Sequence, residues 1–144
     1  MPNENENEKM EKARNFRNYK VWQDAVEYAS KVYKITAEMP WFEKKGLCDQ
    51  LQRAVVSISS NIAEGAAKPS DSEFARFLDT SLGPAFEVET QLLIAKNVGY
   101  IKNVNDNLNH NDKGGVTYEE LVEELQEIER QINGLIGVVR KEER

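Results

Sequence analysis

The run from Leu47 to Gly65 constrains this chain more than any other segment, because it reads as a helix with two stripes. Leu47, Leu51, Ala54, Val55, Ile58 and Ile62 recur at three- and four-residue steps, the spacing of a packed apolar face. Gln50, Arg53, Ser57, Ser60, Asn61 and Glu64 recur at the same spacing on an adjoining face. A solvated face would be rich in Lys and Glu, whereas this one carries short hydrogen-bonding groups and a single Arg. The pattern predicts a polar seam held against another helix or another subunit. It speaks to architecture and supplies no reaction.

The rest of the chain extends the helical reading. Residues 1 to 18 are polar and low in complexity, and are expected to form a disordered tail ahead of a single domain over 19–142. From Val21, the positions Trp22, Ala25, Val26, Ala29, Val32, Tyr33 and Thr36 mark one helical face, which Pro40 brings to a stop at about Met39. Trp41 to Gly46 connect this helix to the two-striped one, which is expected to run to about Ala66. Ser70 and Glu73 have capping-box spacing, with each side chain expected to reach the other's amide. The third helix then shows Phe74, Phe77, Leu78, Leu82, Ala85, Phe86, Leu92 and Ala95 before Gly99 ends it. Pro84 lies inside it, yet the apolar phase survives across the proline, so a continuous, kinked helix is expected. A polar loop over 102–115 follows, then a second capping box, Thr117 with Glu120. The last helix repeats through Tyr118, Leu121, Val122, Leu125, Ile128, Ile132, Leu135, Ile136 and Val139. Four helices with mostly short connections predict an all-α, antiparallel up-down-up-down bundle.

Composition narrows the function classes. Charged residues are 31% of the 144, with only 8 Gly and 4 Pro, which favours long helices over a turn-rich sheet. The net charge of -6 opposes sequence-independent binding to phosphate backbones, so nucleic acid is a disfavoured partner. The lone Cys48 rules out an internal disulfide and fits a reducing, cytoplasmic setting. The start has no apolar signal-like stretch and no run is long enough to span a bilayer, so no membrane role is expected.

No constellation for catalysis, cofactor or metal emerges. His110, the only histidine, sits in the Asn-rich loop with no Glu-x-x-His pattern beside it. Counting from Asn109 places Gly114 and Glu120 at the sixth and twelfth positions of a calcium loop, but Lys113 puts a cation where a ligand oxygen belongs. Cys48 has no histidine partner, and Ser57, Ser59 and Ser60 have no His–acid pair. The Glu-rich last helix reads as a solvated surface, with a basic partner as the alternative.

Two sites of interaction stand out instead. Folding the second and third helices back about Ala67–Pro69 brings Arg53 near Gly83 and Glu87, where a bidentate pair would satisfy both charges. The seam of Gln50, Arg53, Ser57, Asn61, Glu64 and Glu87 is then either a structural ion pair within the bundle or a subunit interface or lined channel. Trp41 and Phe42 follow a proline between helices, where they either cap the open end of the core or anchor a partner.

These residues also carry a family resemblance. Val21-Trp22-Gln23-Asp24-Ala25, Pro40 with Glu43, Gly46-Leu47, Gln50-Leu51-Gln52-Arg53-Ala54, Ser57-Ile58 and Asn61-Ile62-Ala63-Glu64-Gly65 resemble one bacterial family. It is the four-helix bundle family named for proteins encoded in 23S ribosomal RNA intervening sequences. The likeness continues through Glu73-Phe74, Phe77-Leu78, Glu87-Val88-Glu89-Thr90-Gln91-Leu92 and Gly99-Tyr100-Ile101, and covers about residues 19 to 140. It implies a ring-like homopentamer and no enzyme activity. The chain is similar also to accessory proteins of diversity-generating retroelements, which share the fold and bind nucleic acid and a reverse transcriptase. Those proteins are basic and this chain is acidic, so that role does not carry over. Where the family usually has Gly-Ser in the third helix, this chain has Gly83-Pro84.

The leading expectation is a non-enzymatic oligomeric scaffold or adaptor, with itself as first partner and another protein as a second. The alternative is an RNA- or ribosome-associated factor. It would need Lys44, Lys45, Arg53, Lys68 and Arg76 gathered on one face of the assembly.

Overall fold

A computed structural model describes residues 14–102 and 115–142 of the chain. Four α-helices make up most of it: α1 (Lys20–Ala37), α2 (Leu47–Ala66), α3 (Asp71–Asn97) and α4 (Tyr118–Glu142). Single 3-10 turns at Phe16–Asn18 and Trp41–Glu43 precede α1 and α2, and no strand occurs among the described residues. Contacts run α1–α2, α2–α3, α3–α4 and α1–α4, so each helix touches two neighbours around one core. The α2–α3 contact is the most extensive and the α1–α4 contact the least. The core is built from the periodic apolar positions, with Tyr28, Leu51, Ile58, Ile62, Phe74, Leu78, Leu92, Leu121, Leu125 and Ile132 fully buried.

The helix ends follow local chemistry. Ser70 Oγ accepts from the Glu73 amide at 3.1 Å. Glu73 does not return to the Ser70 amide as expected; its carboxylate accepts from the Ser70 hydroxyl instead, at 3.1 Å. The Thr117–Glu120 box is reciprocal, at 3.2 and 3.4 Å. At the end of α3, Gly99 takes φ 88°, its amide donates to Lys96 and that of Tyr100 donates to Ala95, a Schellman closure that needs a residue without Cβ strain. Helix α3 is continuous through Pro84. The proline removes one donor, leaving the Thr80 carbonyl without its helical partner, and Thr80 is exposed to solvent. Gly83 before it has no Cβ to clash with the proline ring, which keeps the helical conformation accessible there.

One glycine governs packing. A Cβ on Gly65 would lie 2.5 Å from Phe77 Cβ and 3.2 Å from Phe74 Cδ1, so α2 and α3 approach more closely there than any side chain permits. That gives the last residue of the Asn-Ile-Ala-Glu-Gly segment a steric role.

The expected disordered tail needs correction at its inner end. Arg14–Asn18 lie against the helices: Arg14 pairs with Asp71, donates to the Lys68 carbonyl at 2.8 Å and stacks over the Phe74 ring, and Phe16 meets Trp22 edge-on. Residues 1–13, His110 and the 109–114 part of the calcium-like spacing lie outside the described residues.

Candidate interaction surface

The seam sits on the outward side of α2, toward α3. Gln50, Arg53, Glu64 and Glu87 are exposed, while Ser57 and Asn61 are half-buried. Asn61 Nδ2 donates to the Ser57 carbonyl at 2.8 Å and to its Oγ at 3.1 Å, so the short polar groups are satisfied along their own helix. Arg53 and Glu87 do line one groove, of about 360 Å³, with Gln50, Ser57 and Pro84. They are not paired within the chain. Arg53 Nε lies 3.0 Å from Asp49 Oδ2, one turn earlier on α2, and the Arg53 side chain is 81% exposed. The buried Arg53–Glu87 pair within one chain is therefore corrected: an Asp–Arg partner four residues away on the same face is closer than any cross-helix carboxylate. Within the single chain the seam therefore faces solvent, with its short polar groups bonded along α2.

Trp41 and Phe42 are 86% and 61% exposed, with ring centroids 6.2 Å apart in an edge-on arrangement. The loop is pinned by Glu43, whose carboxylate accepts from Tyr100 Oη at 3.1 Å and from the Leu47 amide at 3.3 Å. The rings consequently project from a fixed turn and do not close the core. Lys44 and Lys45 lie beside them, whereas Lys68 and Arg76 stack on Phe77 at the α2–α3 turn, at the other end of α2. Within one chain the five cations needed for an RNA face are thus divided between two ends.

An apolar surface appears on α3, and it includes Phe86, which was expected with the core. Phe86, Leu93, Ile94 and Val98 are 55%, 41%, 48% and 56% exposed. From Gly83 to Val98 the exposed positions are Gly83, Phe86, Glu87, Thr90, Leu93, Ile94, Asn97 and Val98, and Glu87 is the only charge among them. At 100° per residue Phe86 falls more than a quarter-turn from the buried row of Leu78, Ala85 and Leu92, which is the signal that would have placed it outside. The outward face of α4 shows the usual alternative, with Glu119, Glu120, Glu123, Glu127 and Arg130 exposed.

Cys48 is buried, its Sγ donates to the Thr36 carbonyl at 3.5 Å, and burial raises its pKa, the opposite of an activated thiolate. Ser59 Oγ donates to its own helix at Val56. Burial also raises the Glu129 carboxyl, with Glu89 adding to it, and Glu129 Oε1 is buried without a hydrogen-bond partner. A groove of about 240 Å³ between α1 and α4 is lined by Asp24, Glu27, Lys31, Glu124 and Glu127, and Lys31 closes on Glu124 at 2.6 Å. Among the described residues no three His, Cys, Asp or Glu side chains are placed to hold a metal ion, and no helix is long and apolar enough to cross a membrane.

With the four helices and this surface in place, the relatives can be set beside the chain. The model of the 23S rRNA-intervening sequence protein family matches residues 17–134. The chain belongs to that family. The family match spans α1 to α3 and α4 as far as residue 134, and includes the seam, the Gly65 contact and the apolar side of α3. A crystal structure of a protein of unknown function from the S23 ribosomal protein family of Bacteroides thetaiotaomicron shares the fold. It has a TM-score of 0.67 and 22% identity, over 81% of this chain and 95% of that one. No curated protein matches the sequence.

Proposed function

We propose that this family member is a non-enzymatic, self-associating scaffold, whose up-down-up-down bundles join into a ring-like homopentamer in the cytoplasm. The observation that carries the reading is the side of α3 from Gly83 to Val98, where one charge stands among eight exposed positions of a chain that is 31% charged. Single exposed apolar residues are ordinary on soluble proteins, but a contiguous row of them marks a surface meant to be covered. The seam on α2 adjoins this row, and its short, internally bonded polar groups suit a contact between chains better than a solvated face.

Light scattering tests the proposal. It expects a mass five times the 16.5 kDa chain at micromolar concentration. A mass of 16.5 kDa under those conditions refutes it.

A further inference from the structure

We propose that the contact is heterologous: the apolar side of α3 in one copy seats in the groove between α1 and α2 of the next. This rests on the self-association reading and specifies the two surfaces that meet. The groove is continuous, because two depressions of about 390 and 360 Å³ share Tyr33 and Gln52. Tyr33 and Val56, 46% and 41% exposed, give it an apolar wall, and Trp41 stands at one end. Val26, 38% exposed, continues the same side of α1. This groove has the form that receives an amphipathic helix.

The occupant follows from what the chain itself presents. The helices contact one another in the cyclic order α1, α2, α3, α4, so the α1–α2 side lies across the bundle from the α3–α4 side. Phe86 and Leu93 fall on the α4-facing half of the exposed α3 row, the half on which Glu89 acts electrostatically on Glu129 and Tyr118. One chain therefore carries an exposed apolar row on α3 and a separate receiving groove between α1 and α2. A surface on one side meeting a different surface on the other is the arrangement that generates rings instead of closed two-fold pairs.

Charge agrees with the pairing. The α3 row brings a single carboxylate, Glu87. The groove brings Lys44 and Arg53 against only Asp49, which already engages Arg53 Nε. Seating the helix would place Glu87 of one copy beside the cationic edge of its neighbour, where a desolvated pair fixes register more than it adds affinity. The Arg53–Glu87 partnership implied by the seam would then form between chains.

Two exposed substitutions separate the surfaces. Ile94→Glu disables the α3 row and leaves the groove; Val56→Glu does the reverse. Circular dichroism confirms that each keeps its helices, and light scattering reads the mass. The wild-type chain assembles, and each variant alone is expected at 16.5 kDa. Mixed in equal amounts, the two can form one intact contact and no more, so the mixture should reach twice the chain mass and stop. Because a ring gains from multivalency that a single contact lacks, the mixture is carried to millimolar chain concentration. A mixture that stays at the single-chain mass overturns the heterologous contact, and so does a Val56→Glu chain that still associates on its own, as it would if α3 met α3. Variants that both retain the wild-type mass show that the chain assembles through other surfaces, which also overturns it. A wild-type chain that is itself monomeric refutes the self-association reading beneath it.

Discussion

Replacing Gly65 by alanine tests how closely α2 and α3 must approach at their hairpin. Most helical glycines gain from this change, since alanine is favoured in a helix by about 1 kcal/mol, less in a final turn such as this one. At Gly65 the new methyl would lie 2.5 Å from Phe77 Cβ, 3.2 Å from Phe74 Cδ1 and 3.3 Å from the Phe74 carbonyl oxygen. Phe77 Cβ is bonded to the α3 backbone, so no rotamer change removes the clash. Carbon atoms sit comfortably about 3.5–4.0 Å apart, which requires the helices to part by roughly 1 Å. The separation loosens Phe74 and Leu78, both fully buried. Overpacking of this kind costs about 1–3 kcal/mol, and after the propensity gain the net loss should be about 1–2 kcal/mol. At roughly 4 °C per kcal/mol, the melting midpoint should fall by about 4–8 °C. Gly137→Ala on α4 is the matched control, because its added methyl meets nothing within 4 Å. It should raise stability by up to about 1 kcal/mol. Urea unfolding followed by circular dichroism, at fixed chain concentration because association shifts apparent stability, measures both. If Gly65→Ala stabilises the chain as much as Gly137→Ala does, the close-approach argument is wrong.

Three further changes have definite expected outcomes. Arg53→Ala should cost the dissociated chain less than about 1 kcal/mol, as for an exposed pair with Asp49; a loss of about 3–5 kcal/mol in urea unfolding would mean that the charge is buried within one chain after all. Tyr28→Phe removes a buried hydroxyl that donates to the Leu121 carbonyl at 2.9 Å, across the sparsest helix pair. Thermal unfolding should register a loss of about 1 kcal/mol, and a neutral result would show that this bond does not hold α1 to α4. Glu129 has its pKa raised from 4.5 by burial, with Glu89 adding to the effect, so the fold disfavours its charged form. Stability that is present below the ordinary carboxyl pKa is lost as pH rises through the folded value. Glu129→Gln should flatten the dependence of the unfolding midpoint on pH across that window and raise stability at neutral pH. An unchanged profile would assign the slope to other groups.

The helices were legible because their ends are written in local chemistry. Ser70, Thr117 and Gly99 each act through bonds within a few residues, and Pro84 follows Gly83 and lies one turn after the exposed residue Thr80. The buried rows of α2 and α4 were legible for the same reason: their periodicity states which side faces inward. Sequence and structure part where two partners compete or where apolar character has two causes. Arg53 could reach Asp49 or a carboxylate on α3, and spacing alone favoured the local one, four residues away. Phe86 was assigned to the core because it is apolar, although its phase turns it outward. Arg14 to Asn18 look like tail by composition, and only the position of Asp71 and Phe74 in space shows what holds them.

The placement of charge accounts for why the seam looked unusual in the sequence. The ion pairs between α1 and α4 and along α4, such as Lys31 with Glu124 and Arg130 with Glu127, put charged groups on one side of the bundle. The α1–α2 groove and the outward row of α3 are left with few. Charge is thus placed unevenly over the faces of the described residues, with one carboxylate among the eight exposed positions from Gly83 to Val98. Short polar groups on α2 and bare aliphatic groups on α3 have one physical property in common: both can lose water at low cost, the first because they bond along their own helix and the second because they bond to nothing. Lys and Glu could do neither. The two-striped helix and the apolar side of α3 are on this view parts of one requirement, a surface that must be dry when chains meet and tolerable in water before they do.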